Sequence, residues 1–441
     1  MPWLTREERD ALLRHTVARA ARDIPWYRER WGESWREVQG VDTLGALPLL
    51  TKDEATAHQH LLLASPSAYV GTLSSGTLHG DRPPLRVHHG AAESEAWRTW
   101  MKERGLHAPS PHTEELVLDV RAMHHGLPEA PCPPGMLRIP WTPTPNALRL
   151  LLELLSHPQP DGRRVTGLIM GSGALMAFMA WLFERGVDAS TFRLRHVGTY
   201  GFRLSPHWRA LVGDALGAEI YDNFSLSEFA TPALQCAGCG HWHWHVPPLV
   251  AEVVDVHTGR PLDKGVGVQV LTGLYPFVQA MPLIRYWTGD LVELGPPCAT
   301  AGERGFRFRG RASQCVLESG GTGDPVLVSP QDVQDFLEGR CEVARHPHAM
   351  ELLGLVRSPD IGAVKFELDA PAPNHPRVSV ELRFDPHVHP EPARALAREL
   401  AEVLLRASAP LRRVEAEQRG TLEIHVTGPG RLTRRWSKLD G

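Results

Sequence analysis

The strongest constraint on the fold is a change of rhythm in the middle of the chain. Between residues of about 110 and 290, short apolar runs alternate with helix-length stretches, as βα layering requires. Leu116-Val117-Leu118 and Val165 to Met170 read as buried strands, and Ala174 to Arg185 reads as a helix between strands. This half predicts a parallel sheet. Leu249 to Val254 and Val268 to Leu271 then flank the turn-forming Thr258-Gly259-Arg260-Pro261, which predicts an antiparallel hairpin. The large unit should therefore mix both sheet types.

The outer segments follow other rules. Thr5-Arg6-Glu7-Glu8 is a capping-box pattern ahead of an apolar stripe of Leu12, Leu13 and Val17, predicting a helix that ends near Ile24-Pro25. Ser329-Pro330-Gln331-Asp332 is a second helix start, with a hydroxyl cap and a proline in the first turn. Val378, Val380, Leu382 and Phe384 alternate as in a strand, Leu396, Leu400 and Val403 have helical spacing, and Leu422, Ile424 and Val426 alternate again. The end of the chain thus reads as a small α+β unit. A length of 441 residues fits two or three folding units.

Charge limits the partners. The 47 Lys and Arg against 51 Asp and Glu leave a net charge of -4, which gives no broad footprint for nucleic acid or a membrane surface. Any anion must be held locally. No stretch is long and apolar enough to span a bilayer, and Met1 to Arg14 is rich in Arg and Glu, so a cytoplasmic enzyme is expected. The 38 prolines and 40 glycines are dispersed among loops, and six cysteines in a chain this long make no disulfide framework. Cys132, Cys315 and Cys341 read as ordinary.

Three blocks carry the chemistry. Ser74-Ser75-Gly76-Thr77 is a small-residue loop whose amides and hydroxyls can cradle phosphate oxygens. Tyr221 to Glu228 and Met281 to Asp290 follow it. In this order the blocks resemble the nucleotide site of the adenylate-forming superfamily of acyl-CoA synthetases, peptide-synthetase adenylation domains and luciferases. The stretch from Met281 to Asp290 resembles its phenylacetate-CoA ligase-like branch, as does Trp26-Tyr27-Arg28 after Pro25.

The resemblance implies a large multi-sheet α/β adenylating domain over residues 1–310 and a small α+β lid over 311–441, joined at Arg309-Gly310-Arg311. It implies that Ser74, Ser75, Gly76 and Thr77 hold phosphate, that Glu228 binds Mg²⁺, and that Asp290 accepts the ribose hydroxyls. Tyr221 would stack on adenine beside Asp222, and Arg311 would meet ribose or phosphate. Leu432 to Lys438 lies on the family's terminal motif, which makes Lys438 the catalytic lysine, an ammonium between acyl carboxylate and α-phosphate. Trp141, Tyr200, Gly201, Phe202, Phe224 and Ser225 would line the acyl pocket.

Several positions depart from the family pattern. The phosphate loop lacks the second threonine and the lysine, with Arg82 as a substitute, and Tyr200 to Arg203 lacks the usual Gly-Ala-Glu. Ser313 replaces the hinge aspartate, and Glu318 to Pro325 replaces a hinge-adjacent loop. These last two bear on the thioester half-reaction, which depends on lid rotation.

Cys236, Cys239, His241, His243 and His245 crowd one short stretch, with Cys298 further on. Cys236, Cys239, His243 and Cys298 would make a closed structural zinc site, as in some relatives; reduced cysteines with packed histidines are the alternative.

The leading expectation is ATP-dependent activation of an aromatic or related carboxylic acid, followed by transfer to the thiol of coenzyme A. Two alternatives stay open: adenylation with another acceptor (a carrier-protein thiol, an amine, or AMP transfer to a cofactor), and a non-catalytic nucleotide-binding relative. A homodimer is expected by analogy with the branch.

Overall fold

The computed structural model describes residues 4–64, 69–73, 84–90, 92–103, 115–122, 135–244, 249–300, 302–319 and 324–432. Ser74, Ser75, Gly76, Thr77, Arg82, Cys132, His245 and Lys438 lie outside the described residues.

A two-stranded pair, β1 (Tyr69–Leu73) and β2 (Arg86–His89), precedes the main sheet. The parallel half of that sheet is β3 (Leu116–Ala122), β4 (Met136–Trp141), β5 (Val165–Gly171), β6 (His196–Tyr200) and β7 (Glu219–Leu226). The antiparallel half is β8 (Ala230–Gln235), β9 (Trp242–Trp244), β10 (Leu249–Val254), β11 (Gly265–Gly273), β12 (Tyr286–Pro297) and β13 (Arg304–Arg311). Both halves form one eleven-stranded sheet in the order β10-β11-β12-β13-β9-β8-β7-β6-β5-β3-β4. The expected mixture of sheet types is thus continuous through β7, which pairs parallel with β6 and antiparallel with β8.

Helices Pro145–Ser156, Ser172–Phe183 and Pro206–Leu216 connect the parallel strands. Thr144 and Ser205 cap the first and last of these, accepting from the amides of Ala147 and Trp208, with proline in each first turn. Leu118 and Val120 of β3, Leu168 and Met170 of β5 and Val197 of β6 pack against Leu175, Met179 and Val212 from the helices. Each such side chain taken from water stabilises by about 1.5–3 kcal/mol. Because side chains alternate along a strand, Arg121, Ile169, Gly171, Tyr200, Tyr221 and Asn223 face away from this helix layer.

The first helix, Arg6–Asp23, starts on the expected capping box of Thr5 and Glu8 and stops at Ile24. After β13 come a two-stranded sheet, β14 (Val316–Leu317) with β15 (Val326–Val328), and a three-stranded one, β16 (Phe366–Ala372), β17 (His375–Glu381) and β18 (Glu423–Thr427). Helix Pro390–Ala407 buries Leu396, Leu400 and Leu404 beneath the latter. Leu404 occupies the fully buried place for which Val403 was the sequence candidate, since 396, 400 and 404 follow one i, i+4 row.

This C-terminal part is also fastened to the large sheet's helices. Met350, Val356, Ile361 and Ala363 enter the core around helix Ser172–Phe183. Trp208 Nε1 donates to Glu338 at 3.0 Å, Arg345 meets the same carboxylate at 3.0 Å, and Arg203 pairs with Asp335.

Candidate active site

The Met281 to Asp290 block is held from below by the N-terminal segment. Tyr27, only 1% exposed, donates its hydroxyl to the Pro282 carbonyl at 2.8 Å and accepts from the Ile284 amide at 3.3 Å. Burial therefore raises the Tyr27 pKa, keeping the proton that makes the first of these bonds. Leu50 then forms a parallel bridge to Tyr286, with its amide on the Arg285 carbonyl at 2.9 Å and its carbonyl accepting from Trp287 at 2.8 Å. Between them Arg285 takes the left-handed conformation, φ 51°, and is pinned by Glu252 at 2.9 Å and by its amide bond to Thr272. Burial raises the Glu252 pKa, and the arginine opposes that shift.

This frame brings the two motif blocks together. The Tyr286 hydroxyl, at the head of β12, donates to Glu228 Oε1 at 2.9 Å, so the blocks meet by a direct hydrogen bond. Burial and the Glu228 charge push the Tyr286 pKa far up, so its phenol remains a donor at any physiological pH. Lys52 Nζ stands 3.6 Å from the same oxygen. Four residues along β12, Asp290 lies opposite Arg311 of β13, and Arg311 Nε reaches Asp290 Oδ1 at 2.8 Å. Arg311 also donates to the Thr288 carbonyl at 3.1 Å, over the Gly289 backbone. Gly289 has φ +76°, which a side chain would strain, and a Cβ there would stand 4.0 Å from the Arg311 guanidinium. Glu228, Tyr286, Asp290 and Arg311 thus form one mostly buried charged cluster.

The rest of the Tyr221 to Glu228 block is placed differently. Asp222, 3% exposed, is held internally by Arg209 and Thr199, while Trp242 Nε1 donates to its carbonyl at 3.0 Å. Tyr221 is accessible and bonds Glu219 through its hydroxyl; that carboxylate raises the Tyr221 pKa. Phe224 packs edge-on against Phe306, with centroids 5.4 Å apart. Trp141 and Phe202 pack against the core under the helices. Tyr200 ends β6, with its hydroxyl on the Val120 carbonyl at 2.7 Å, and Gly201 follows it. Ser225 sits half-buried between Phe224 and Leu226.

The cysteine-histidine cluster is assembled at the far end of the β12–β13 hairpin. Cys236, Cys239, His243 and Cys298 offer ligand atoms that all lie within 4.8 Å of one another. Two tight turns present them. In the first, the Gly240 amide returns to Cys236 O at 2.8 Å and the Cys236 amide bonds His241 O at 2.8 Å. Gly240 has φ +70°, which lets the chain double back behind Cys239. In the second, the Gly302 amide bonds Cys298 O at 2.8 Å. Burial leads the causes that push the Cys239 pKa up to about 11. Three thiols and an imidazole in this closed arrangement fit a tetrahedral zinc ion.

Lys52 escaped the sequence reading. Thr51-Lys52-Asp53-Glu54 carries a capping-box signal, confirmed as a helix start by the Thr51 cap on Glu54, but its nearness to Glu228 depends on long-range contacts such as the bridge from Leu50 to Tyr286. Tyr286 lies within its motif, but its place in the cluster follows from the bond its hydroxyl makes to Glu228.

No family profile matches the chain. It is 26% identical over 422 residues to a phenylacetate-coenzyme A ligase of Aromatoleum evansii, covering 88% of this chain and 84% of that protein. It is 25% identical to the Pseudomonas putida phenylacetate-coenzyme A ligase over 72% of this chain and 73% of that protein. The Thermus thermophilus phenylacetate-coenzyme A ligase is 34% identical, but over only 43% of this chain and 42% of its own length. In fold, the chain is similar to a 2-hydroxyisobutyryl-CoA ligase in its postadenylation state, with TM-score 0.65 and 14% identity over 99% of this chain and 89% of that one. Over most of its length the chain is thus similar to phenylacetate-coenzyme A ligases, it shares its fold with a CoA ligase, and it brings two of its motif blocks together around Glu228 and Asp290.

Proposed function

We propose that the protein activates a carboxylic acid with ATP to an acyl-adenylate and transfers the acyl group to the thiol of coenzyme A. The observation that carries this is the convergence of Glu228, Tyr286, Asp290 and Arg311 in one cluster, built from segments far apart in the chain. Adenylation brings two anions together, so the site must offset their repulsion and stabilise a pentavalent α-phosphate. Glu228 would bind Mg²⁺, with Tyr286 fixing the carboxylate's orientation and Lys52 bringing a positive charge beside it. Asp290 would take the ribose hydroxyls while Arg311 fixes its rotamer. Thr77 and Lys438 would act from the phosphate loop and the C-terminal segment. Residues 1–310 would form the adenylating domain and 311–441 the lid.

Zinc bound by Cys236, Cys239, His243 and Cys298 would be structural, tying the β8–β9 turn to the β12–β13 turn. An acceptor other than coenzyme A is the second reading. It is favoured by the altered loop after β14, where Glu318 is buried and engaged by Arg413 and Arg419 and so serves as internal scaffolding.

Pyrophosphate exchange across a panel of aryl and alkyl acids, followed by detection of the coenzyme A ester, tests both. Exchange with thioester supports the leading reading, exchange without it supports the second, and ATP binding with no exchange refutes both. Lys438→Ala should suppress exchange while sparing ATP binding; an unaltered rate would remove Lys438 from the mechanism.

A further inference from the structure

Asp119 of β3 is fully buried, and its single carboxylate meets two guanidinium groups, Arg138 Nε and Arg121 Nε, each at 2.8 Å. The charges do not balance. Arg138, whose side chain is 14% exposed, suffices to neutralise the buried acid, and Arg121, at 32%, brings a surplus positive charge with access to solvent. Among the described residues Arg121 hydrogen-bonds through Nε alone, leaving its two terminal nitrogens for another partner.

The position of that surplus is informative. The Arg121 guanidinium carbon lies 5.5 Å from the centre of the Tyr200 ring. Gly171 pairs with Tyr200 across β5 and β6, and Arg121 stands one step beyond the last β3–β5 pair, Val120 with Met170. Gly171 therefore separates Arg121 from Tyr200 on one face of the sheet. A Cβ at Gly171 would come within 3.6 Å of the Tyr200 ring, so its lack of a side chain keeps this ground clear. These residues sit at the carboxyl ends of parallel strands. The chain passes from β3 to β4 on one side and then crosses to β5 on the other, so the topological switch point falls between β3 and β5. That is where open α/β sheets bind their ligands.

We propose that Arg121 is a specificity-determining residue of the acyl site and that the acid activated here carries a second carboxylate, bound by the Arg121 fork while the body of the acid lies over Gly171 against Tyr200. This rests on the acid-activating reading above. The planar guanidinium suits a carboxylate because two parallel N–H bonds match its two oxygens, whereas an ammonium would supply a point charge only.

The test compares benzene dicarboxylates with benzoate and with the corresponding half-esters, in pyrophosphate exchange and in calorimetric binding to the full-length protein. The unaltered protein should prefer a diacid over its half-ester by about tenfold or more, mainly in KM. Arg121→Met should erase that preference while keeping exchange with the monoacid, and Arg121→Lys should restore part of it. Equal use of diacid and half-ester by the unaltered protein, or a preference that survives Arg121→Met, overturns the assignment. If no acid supports exchange, the reading as an acid-activating enzyme fails; Arg121-dependent diacid binding by calorimetry would still uphold the subsite, and its absence would overturn it.

Discussion

The two ends of the β12–β13 hairpin are built by opposite means. At one end, Asp290 and Arg311 face each other across the strands, and Tyr286 reaches back to Glu228, 58 residues away in the chain. At the other, Cys298 closes on Cys236, Cys239 and His243. The first end is a cluster of hard oxygens and guanidinium nitrogens whose members come from many elements. The second is a cluster of soft ligands, three of them within eight residues of sequence. At the charged end ion pairs and a charged hydrogen bond join the residues to one another; at the thiol end Cys239 Sγ lies 3.2 Å from His243 Nε2 and Cys236 Sγ 3.9 Å from Cys298 Sγ, weak sulfur contacts that ligation to an ion would replace.

Breaking the charged end should have the largest effect. Asp290→Asn removes the charge that would accept two ribose hydroxyls and leaves Arg311 without its partner at 2.8 Å. Hydrogen bonds to a charged group are worth about 1.5–3 kcal/mol each, so kcat/KM for exchange should fall by roughly 100-fold or more. A loss confined to stability, with exchange kept at saturating ATP, would mean that Asp290 only scaffolds the hairpin.

Breaking the thiol end should cost stability and leave the chemistry nearly intact. If zinc is bound, chelation or Cys239→Ser should lower Tm with little change in exchange rate at low temperature. An ion at roughly a hundredfold excess over its dissociation constant contributes about 2.7 kcal/mol. The raised Cys239 pKa, about 11, also gives a sign: the free thiol is protonated at neutral pH, so zinc uptake must release protons and tighten as pH rises. Metal analysis that finds no stoichiometric zinc, with Tm unmoved by chelator, would leave this end as packed thiols.

The same contrast decides what could be read from the sequence. Most of the thiol end was legible because Cys236, Cys239 and His243 lie in one short stretch, with Cys298 added as the cysteine at the far end of the hairpin region. The βα half was legible because Leu116-Val117-Leu118 and Val165 to Met170 carry their burial in composition, and the Thr5 and Ser329 caps because a cap is local. Asp290 and Glu228 were reached through their motif wording, which says nothing of geometry. Lys52 and the Tyr286 contact were not legible, since both depend on Leu50 bridging to β12 across more than 200 residues of chain. The bonds that Arg209 and Thr199 make to Asp222 were not legible either, since periodicity cannot show which partners a buried carboxylate will have.

Tyr286→Phe sharpens the charged end by removing one atom. The ring stays to fill its buried place beside Phe229, and only the bond to Glu228 is lost. With Lys52 still 3.6 Å from the carboxylate, exchange should fall by about tenfold, with the Mg²⁺ dependence moved to higher concentration. An unchanged Mg²⁺ dependence would separate Glu228 from the metal.

The smallest effect should come from the helix start that carries Lys52. Thr51 accepts the Glu54 amide at 3.2 Å and Glu54 returns to the Thr51 amide at 3.1 Å, so Thr51→Ala removes one half of a reciprocal cap. Such a loss costs about 1 kcal/mol where the helix stands alone. Here the strand-like bridge of Leu50 to Tyr286 and the Arg30 pair with Glu54 hold the segment independently of the cap. The variant should therefore lose a little Tm and less than about threefold in exchange, a shift under the same 1 kcal/mol. A fall as large as that of Tyr286→Phe would mean that the position of Lys52 is set by the cap, and that the charged end leans on local structure as much as the thiol end does.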